Sequence, residues 1–127
     1  MAYRNYLKLI LKIIALVTVA SGLVQMFIPD FVLGIIGGEI TASTLHFFGI
    51  VGMFMVFFGG LLFHALSVNR PLPVAILWCG FQKFGAAVAV GLGVGRGLFS
   101  WLALGVAGFD LLSGVLIMIH WYSIKNR

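Results

Sequence analysis

The sequence predicts an all-α integral membrane protein, a four-helix bundle with both termini on the same side. Three observations predict it. Of 127 residues, 62% are hydrophobic and only 9% charged, and the mean hydropathy is +1.18, whereas a water-soluble domain is about a quarter charged. The apolar residues gather into four long runs, and crossing a hydrocarbon core of about 30 Å takes about 20 residues of helix. The breaks between runs hold Gly, Pro, Asn and charge, the residues that end helices and make turns. Residues 1–127 read as a single transmembrane domain.

A net charge of +5 and a pI near 9.9 would suit a nucleic-acid partner. However, five of the eight basic residues lie in the two tails and Arg70 lies in a loop, which suits lipid headgroups and topology instead. No nucleic-acid partner is expected. The single cysteine, Cys79, sits in an apolar run and makes no internal disulfide. The basic start resembles the n-region of a signal peptide, but the apolar run after it is long and Gln25-Met26-Phe27-Ile28-Pro29 is a poor cleavage site. A retained helix is expected.

The first span runs from about 5 to 28. Thr18, Ser21 and Gln25, with Gly22 beside them, follow spacings of three and four and form one small, weakly polar stripe turned inward. Lys8 and Lys12 anchor the other end, their stems in lipid and their ammonium groups in water. An interfacial segment follows at about 30–38. Asp30 is placed to cap a short apolar turn that Gly37-Gly38 ends. Glu39 in the same loop reads either as a solvated acid or as a cation-attracting gate.

The second span covers about 44–68. His46 and His64 lie eighteen residues apart on one face, about 27 Å along the axis, too far to share a metal ion. Each reads as a proton carrier or ligand, or as an interfacial histidine bonded to a carbonyl or headgroup. Gly49, Gly52, Gly59 and Gly60 let another helix approach closely. Asn69-Arg70-Pro71-Leu72-Pro73 ends the helix.

The third span covers about 73–94. Lys83 sits among small residues on one face, with Gln82 on the next. Gly85, Ala89 and Gly93, and again Ala87, Gly91 and Gly95, predict small-residue ridges for tight helix contact. A turn at residues 94–97 leads to the fourth span, about 98–122, which carries Asp110 flanked by Ala107, Ser113 and Gly114.

Lys83 and Asp110 lie at matching depth, about 18–24 Å from that turn at 1.5 Å per residue. A lone mid-membrane charge costs about 2.5–3.5 kcal/mol, so the two are expected to pair. A pair of apolar residues would serve stability as well. The pair is therefore a candidate ligand or proton site, or else a device that fixes helix register. Gln82, Gln25, His46 and His64 complete the candidates.

Arg4, Lys8, Lys12, Arg70, Lys125 and Arg127 fall on one side of the membrane and only Arg96 on the other. The positive-inside rule then places both termini in the cytoplasm. The sequence holds no Walker loop, HExxH or dinucleotide fingerprint. Cys79, His64 and His120 approach the same end of the bundle, but their spacing specifies no metal or haem site, and no metal is expected.

The first helix ends in small residues and Pro29. A Leu33-Gly34 turn segment follows, and then a glycine-rich helix, Phe48-Gly49-Ile50-Val51-Gly52 and Phe58-Gly59-Gly60-Leu61. In these features and in length, over most of the chain, the sequence resembles the small four-span bacterial membrane proteins of the DoxX-like group. The resemblance implies a cell inner membrane location and, as in some members, partnership with oxidoreductases acting on sulfur compounds or quinones. The chain departs from that pattern in lacking an acidic residue in the second helix, so no catalytic residue is carried over. The expectation is an accessory or structural protein that binds a partner, a second copy of itself, or an apolar ligand such as a quinone or lipid. The alternative is a proton-coupled carrier with Asp110 as its proton site. No catalytic constellation supports an enzyme.

Overall fold

A computed structural model describes residues 2–127, which fold into five α-helices: α1 (Ala2–Phe27), α2 (Pro29–Ile35), α3 (Ala42–Ser67), α4 (Pro73–Gly95) and α5 (Ala103–Ile124). All but α2 are long and apolar enough to cross a membrane. There is no strand among the described residues.

Local chemistry sets the helix ends. Pro29 and Pro73 each open a helix at its first turn, where a fixed φ helps and no backbone N–H is missed. Asp30 does not cap α2: the cap position is Ile28, and the Asp30 carboxylate lies in the first turn, where it faces the positive end of the helix dipole. Helix α3 starts earlier than the hydropathy predicts because Thr41 and Thr44 form a reciprocal capping box. Thr44 N donates to Thr41 Oγ1 at 3.1 Å and Thr41 N to Thr44 Oγ1 at 2.8 Å.

Helices α2 and α4 end alike. Gly37 and Gly97 both have φ +73°. Gly38 N donates to Leu33 O at 3.0 Å and Leu98 N to Gly93 O at 2.8 Å, the six-to-one bond of a Schellman motif, which needs a left-handed residue just after the cap. This motif also corrects the predicted start of the last helix. The Gly97 turn throws residues 98–102 out of helical register, and Ser100 N is spent on Ile36 O at 2.7 Å. Helix α5 therefore begins at Ala103, and residues 98–102 form a cap over the bundle.

Helix α1 packs along α3 and α4 along α5, while α3 meets α4 and α1 meets α5 more sparsely. The bundle is thus two close-packed hairpins set side by side. Gly22 and Gly52 make the first one close: a Cβ on Gly22 would lie 2.6 Å from Gly52 O, and one on Gly52 2.7 Å from Gly22 O, so the two backbones touch. Of the glycines in the predicted ridges on α4, only Gly93 is closely covered, and by the Phe99 ring of the 98–102 segment rather than by a helix. Gly85, Gly91 and Gly95 have open space beside them, and α4 and α5 interlock through the Phe84 ring over Gly114 and Met118 over Gly80.

The interior divides into two halves. At the end bearing the termini, Leu11, Leu62, Leu66, Ile76, Cys79 and Ile117 form a dry core. At the opposite end Leu33, Ile36 and Ala103 pack with Phe48 and Phe99 as a thin lid. Between lid and core the hairpins stand apart.

Candidate functional site

Lys83 and Asp110 meet where the dry core stops. Lys83 Nζ lies 3.2 Å from Asp110 Oδ1, with side-chain exposures of 4% and 12%. This is the sole ion pair among the described residues. Lys83 leaves α4 and Asp110 leaves α5 at facing positions, and Gly114, one turn beyond Asp110, receives the Phe84 ring so that the helices approach.

A third helix joins the pair. Lys83 Nζ donates to Thr18 Oγ1 at 2.7 Å, and the Thr18 hydroxyl donates in turn to Ile14 O at 2.9 Å. The ammonium also sits 5.2 Å from the centre of the Phe109 ring, within cation–π range. The sequence places Thr18 on the inward stripe of the first helix without linking it to the charges. Its distance from the N-terminal end, set against the depth of Lys83, is the signal that would have found it.

Above this node lies a cavity of about 450 Å³, within the span of small-molecule sites, about 300–1,000 Å³. Lys83, Asp110, Thr18, Ser21, Gln25 and Gln82 supply its polar lining. Its walls are otherwise apolar, among them Val32, Ile36, Phe48, Val90 and Phe99. Val17, Val51, Val106 and Phe109 line it while remaining exposed on the bundle surface, so the space is a cleft open to the bilayer between the hairpins rather than a sealed void.

The candidate residues fall into two groups. Lys83, Asp110, Gln82 and Gln25 share this cavity; Gln25 is buried and its Nε2 donates to Phe48 O at 3.0 Å, tying α1 to α3. His46 and His64 do not join them. Both are exposed, His46 beside Met26, Pro29 and Gly49 near the start of α3, and His64 one turn from the end of that helix. Cys79 is buried, its Sγ 3.8 Å from Phe58 O. No three His, Cys, Asp or Glu side chains stand together as a metal site among the described residues.

Ammonium has three N–H donors. At Lys83 two are committed, to Thr18 and Asp110, and the third has no hydrogen-bond partner among the described residues, while the side chain lines the cavity. Asp110 is bound through Oδ1 alone among the described residues. The site thus offers one donor and one acceptor at the foot of an apolar cleft.

Comparison with protein-family models, curated proteins and solved structures finds no match to this chain.

Proposed function

We propose that this small membrane protein is an accessory subunit of a bacterial inner membrane, holding an apolar molecule with a polar acceptor end, a quinone or a lipid, in the cleft between its hairpins. The observation that carries this reading is the pairing of apolar walls with a free Lys83 N–H at their foot. A quinone or ester carbonyl would accept that N–H, and the ring or tail would lie against Val90, Phe48 and Phe99 and reach the bilayer through the open side. The resemblance to the DoxX-like group, in which some members partner quinone-linked oxidoreductases, agrees with such an occupant. The six-to-one distribution of basic residues puts both termini in the cytoplasm, so the cleft occupies the outer half of the membrane.

The proton-coupled carrier has less support. Asp110 touches the cavity, but Leu11, Leu62, Leu66, Ile76 and Ile117 close the other half, and a carrier would have to part that core in every cycle.

Decyl-ubiquinone titrated into nanodisc-embedded protein tests the reading through quenching of tryptophan fluorescence. Saturable quenching is expected, and Ala86→Phe, which puts a ring into the cavity, should weaken it at least about tenfold, a change of about 1.4 kcal/mol. Equal, non-saturating quenching in both proteins would mean simple partitioning into lipid and would refute the proposal.

A further inference from the structure

A second cavity, of about 550 Å³, opens at the end of the bundle that bears the termini, on the far side of the dry core from the cleft. Three parts of the chain bring five cationic side chains to it: Arg4, Lys8 and Lys12 of α1, Arg70 of the α3–α4 loop, and Arg127 beyond α5. The chain has only three acidic side chains, Asp30, Glu39 and Asp110, and none of them lines this cavity. Two helix N-termini and two helix C-termini share this end, so their dipoles largely offset one another. The positive field comes from the side chains.

A second observation marks the floor. His120 lines the cavity and is only 8% exposed, and its Nδ1 has no hydrogen-bond partner. Arg4 Nε is likewise buried without a partner. Buried polar nitrogens are seldom left unpaired. Two of them, beside five basic side chains with no acidic side chain in the lining, fit an anion with several acceptor oxygens.

The geometry points to a binding site for a phosphate-bearing anion in this cavity, with the Arg4 and Arg70 guanidinium groups on the phosphate oxygens and His120 beneath them. Guanidinium suits such oxygens because its N–H groups form a planar fork. The phosphate can arrive by two routes, since the cavity lies where the spans leave the membrane. One is the headgroup of an anionic phospholipid, entering from the leaflet; the other is a soluble phosphate compound, entering from water.

Native mass spectrometry of the detergent-solubilised full chain, titrated with phosphatidylglycerol or phosphatidylcholine, tests the lipid route. A thermal shift with pyrophosphate tests the soluble one. At least about a tenfold preference for phosphatidylglycerol, a pyrophosphate-dependent rise in Tm, or both with mutual competition, supports the site and identifies its source. Each basic side chain near a membrane surface is worth about a fivefold change in affinity. Arg4→Gln with Arg70→Gln should therefore weaken binding roughly 25-fold, and Arg70→Gln alone, in an exposed loop, about fivefold. Lys125 lies at the same end but stacks over Trp121 and Tyr122 outside the cavity lining, so Lys125→Gln should leave binding within about twofold. Neither lipid preference nor a pyrophosphate response, or a loss in Lys125→Gln as large as in Arg70→Gln, would overturn the site in favour of diffuse surface charge.

Discussion

Replacing Lys83 by Met keeps roughly the same length of side chain and removes the charge. It leaves Asp110 without its cation and Thr18 Oγ1 without its 2.7 Å donor. Breaking a buried ion pair from one side typically costs about 3–5 kcal/mol. The 12% exposure of the Asp110 side chain toward the cleft gives the stranded carboxylate some access to water, so the lower end, about 3 kcal/mol, is expected. Adding Asp110→Leu removes the stranded charge, and a well-packed apolar pair is often neutral relative to the ionic one. The double variant should thus recover to within about 1.5 kcal/mol of the parent. Equilibrium unfolding by SDS titration in mixed micelles, followed by tryptophan fluorescence, measures all three proteins. If the double variant is as unstable as Lys83→Met alone, the two charges are not compensating one another, and the central role given to their contact is wrong.

Other perturbations separate the remaining contributions. Gly22→Ala puts a methyl 2.6 Å from Gly52 O and should cost about 1–3 kcal/mol by overpacking, while Gly60→Ala, with nothing within 4 Å, should leave Tm unchanged or raised; equal effects would mean that α1 and α3 are not in backbone contact. Gly97→Ala pays only for its φ of +73°, about 1–2 kcal/mol; Gly37→Ala should lose more because its Cβ also meets Ser100 Cβ at 3.0 Å, and the difference in SDS midpoint between the two measures the hold of the lid. Thr41→Ala dismantles the α3 capping box and should lower stability by about 1 kcal/mol, which accelerated amide exchange confined to the first turn of α3 would reveal.

The spans were legible because hydropathy and length decide them almost alone. The same criterion failed at residues 98–102: Leu98, Phe99, Trp101 and Leu102 are as apolar as a span, and only the Gly97 turn and the Ser100 bond to Ile36 O show that they cap the bundle. The Lys83/Asp110 pair was legible from the cost of placing charge in hydrocarbon. Thr18 was harder to see, since a neutral hydroxyl carries no such penalty; its depth matches that of Lys83, but depth alone does not say which face of α1 turns to α4. The small-residue ridges of α4 show the limit of periodicity. It reveals which positions lack side chains but not which face meets a neighbour, and Gly85, Gly91 and Gly95 turn away from the other helices. The gathering of basic residues at the end bearing the termini was plain in the sequence. That Arg4, Arg70 and Arg127 converge on one hollow depends on loop geometry that the sequence does not spell out.

Both buried charges belong to the same hairpin, α4–α5, separated by 27 residues of chain. They can therefore neutralise each other as that hairpin enters the bilayer, before it has found α1 and α3. Docking of α1 and α3 against this self-neutralised hairpin then brings the Thr18 hydroxyl to the lysine and completes the apolar interior that all four spans share.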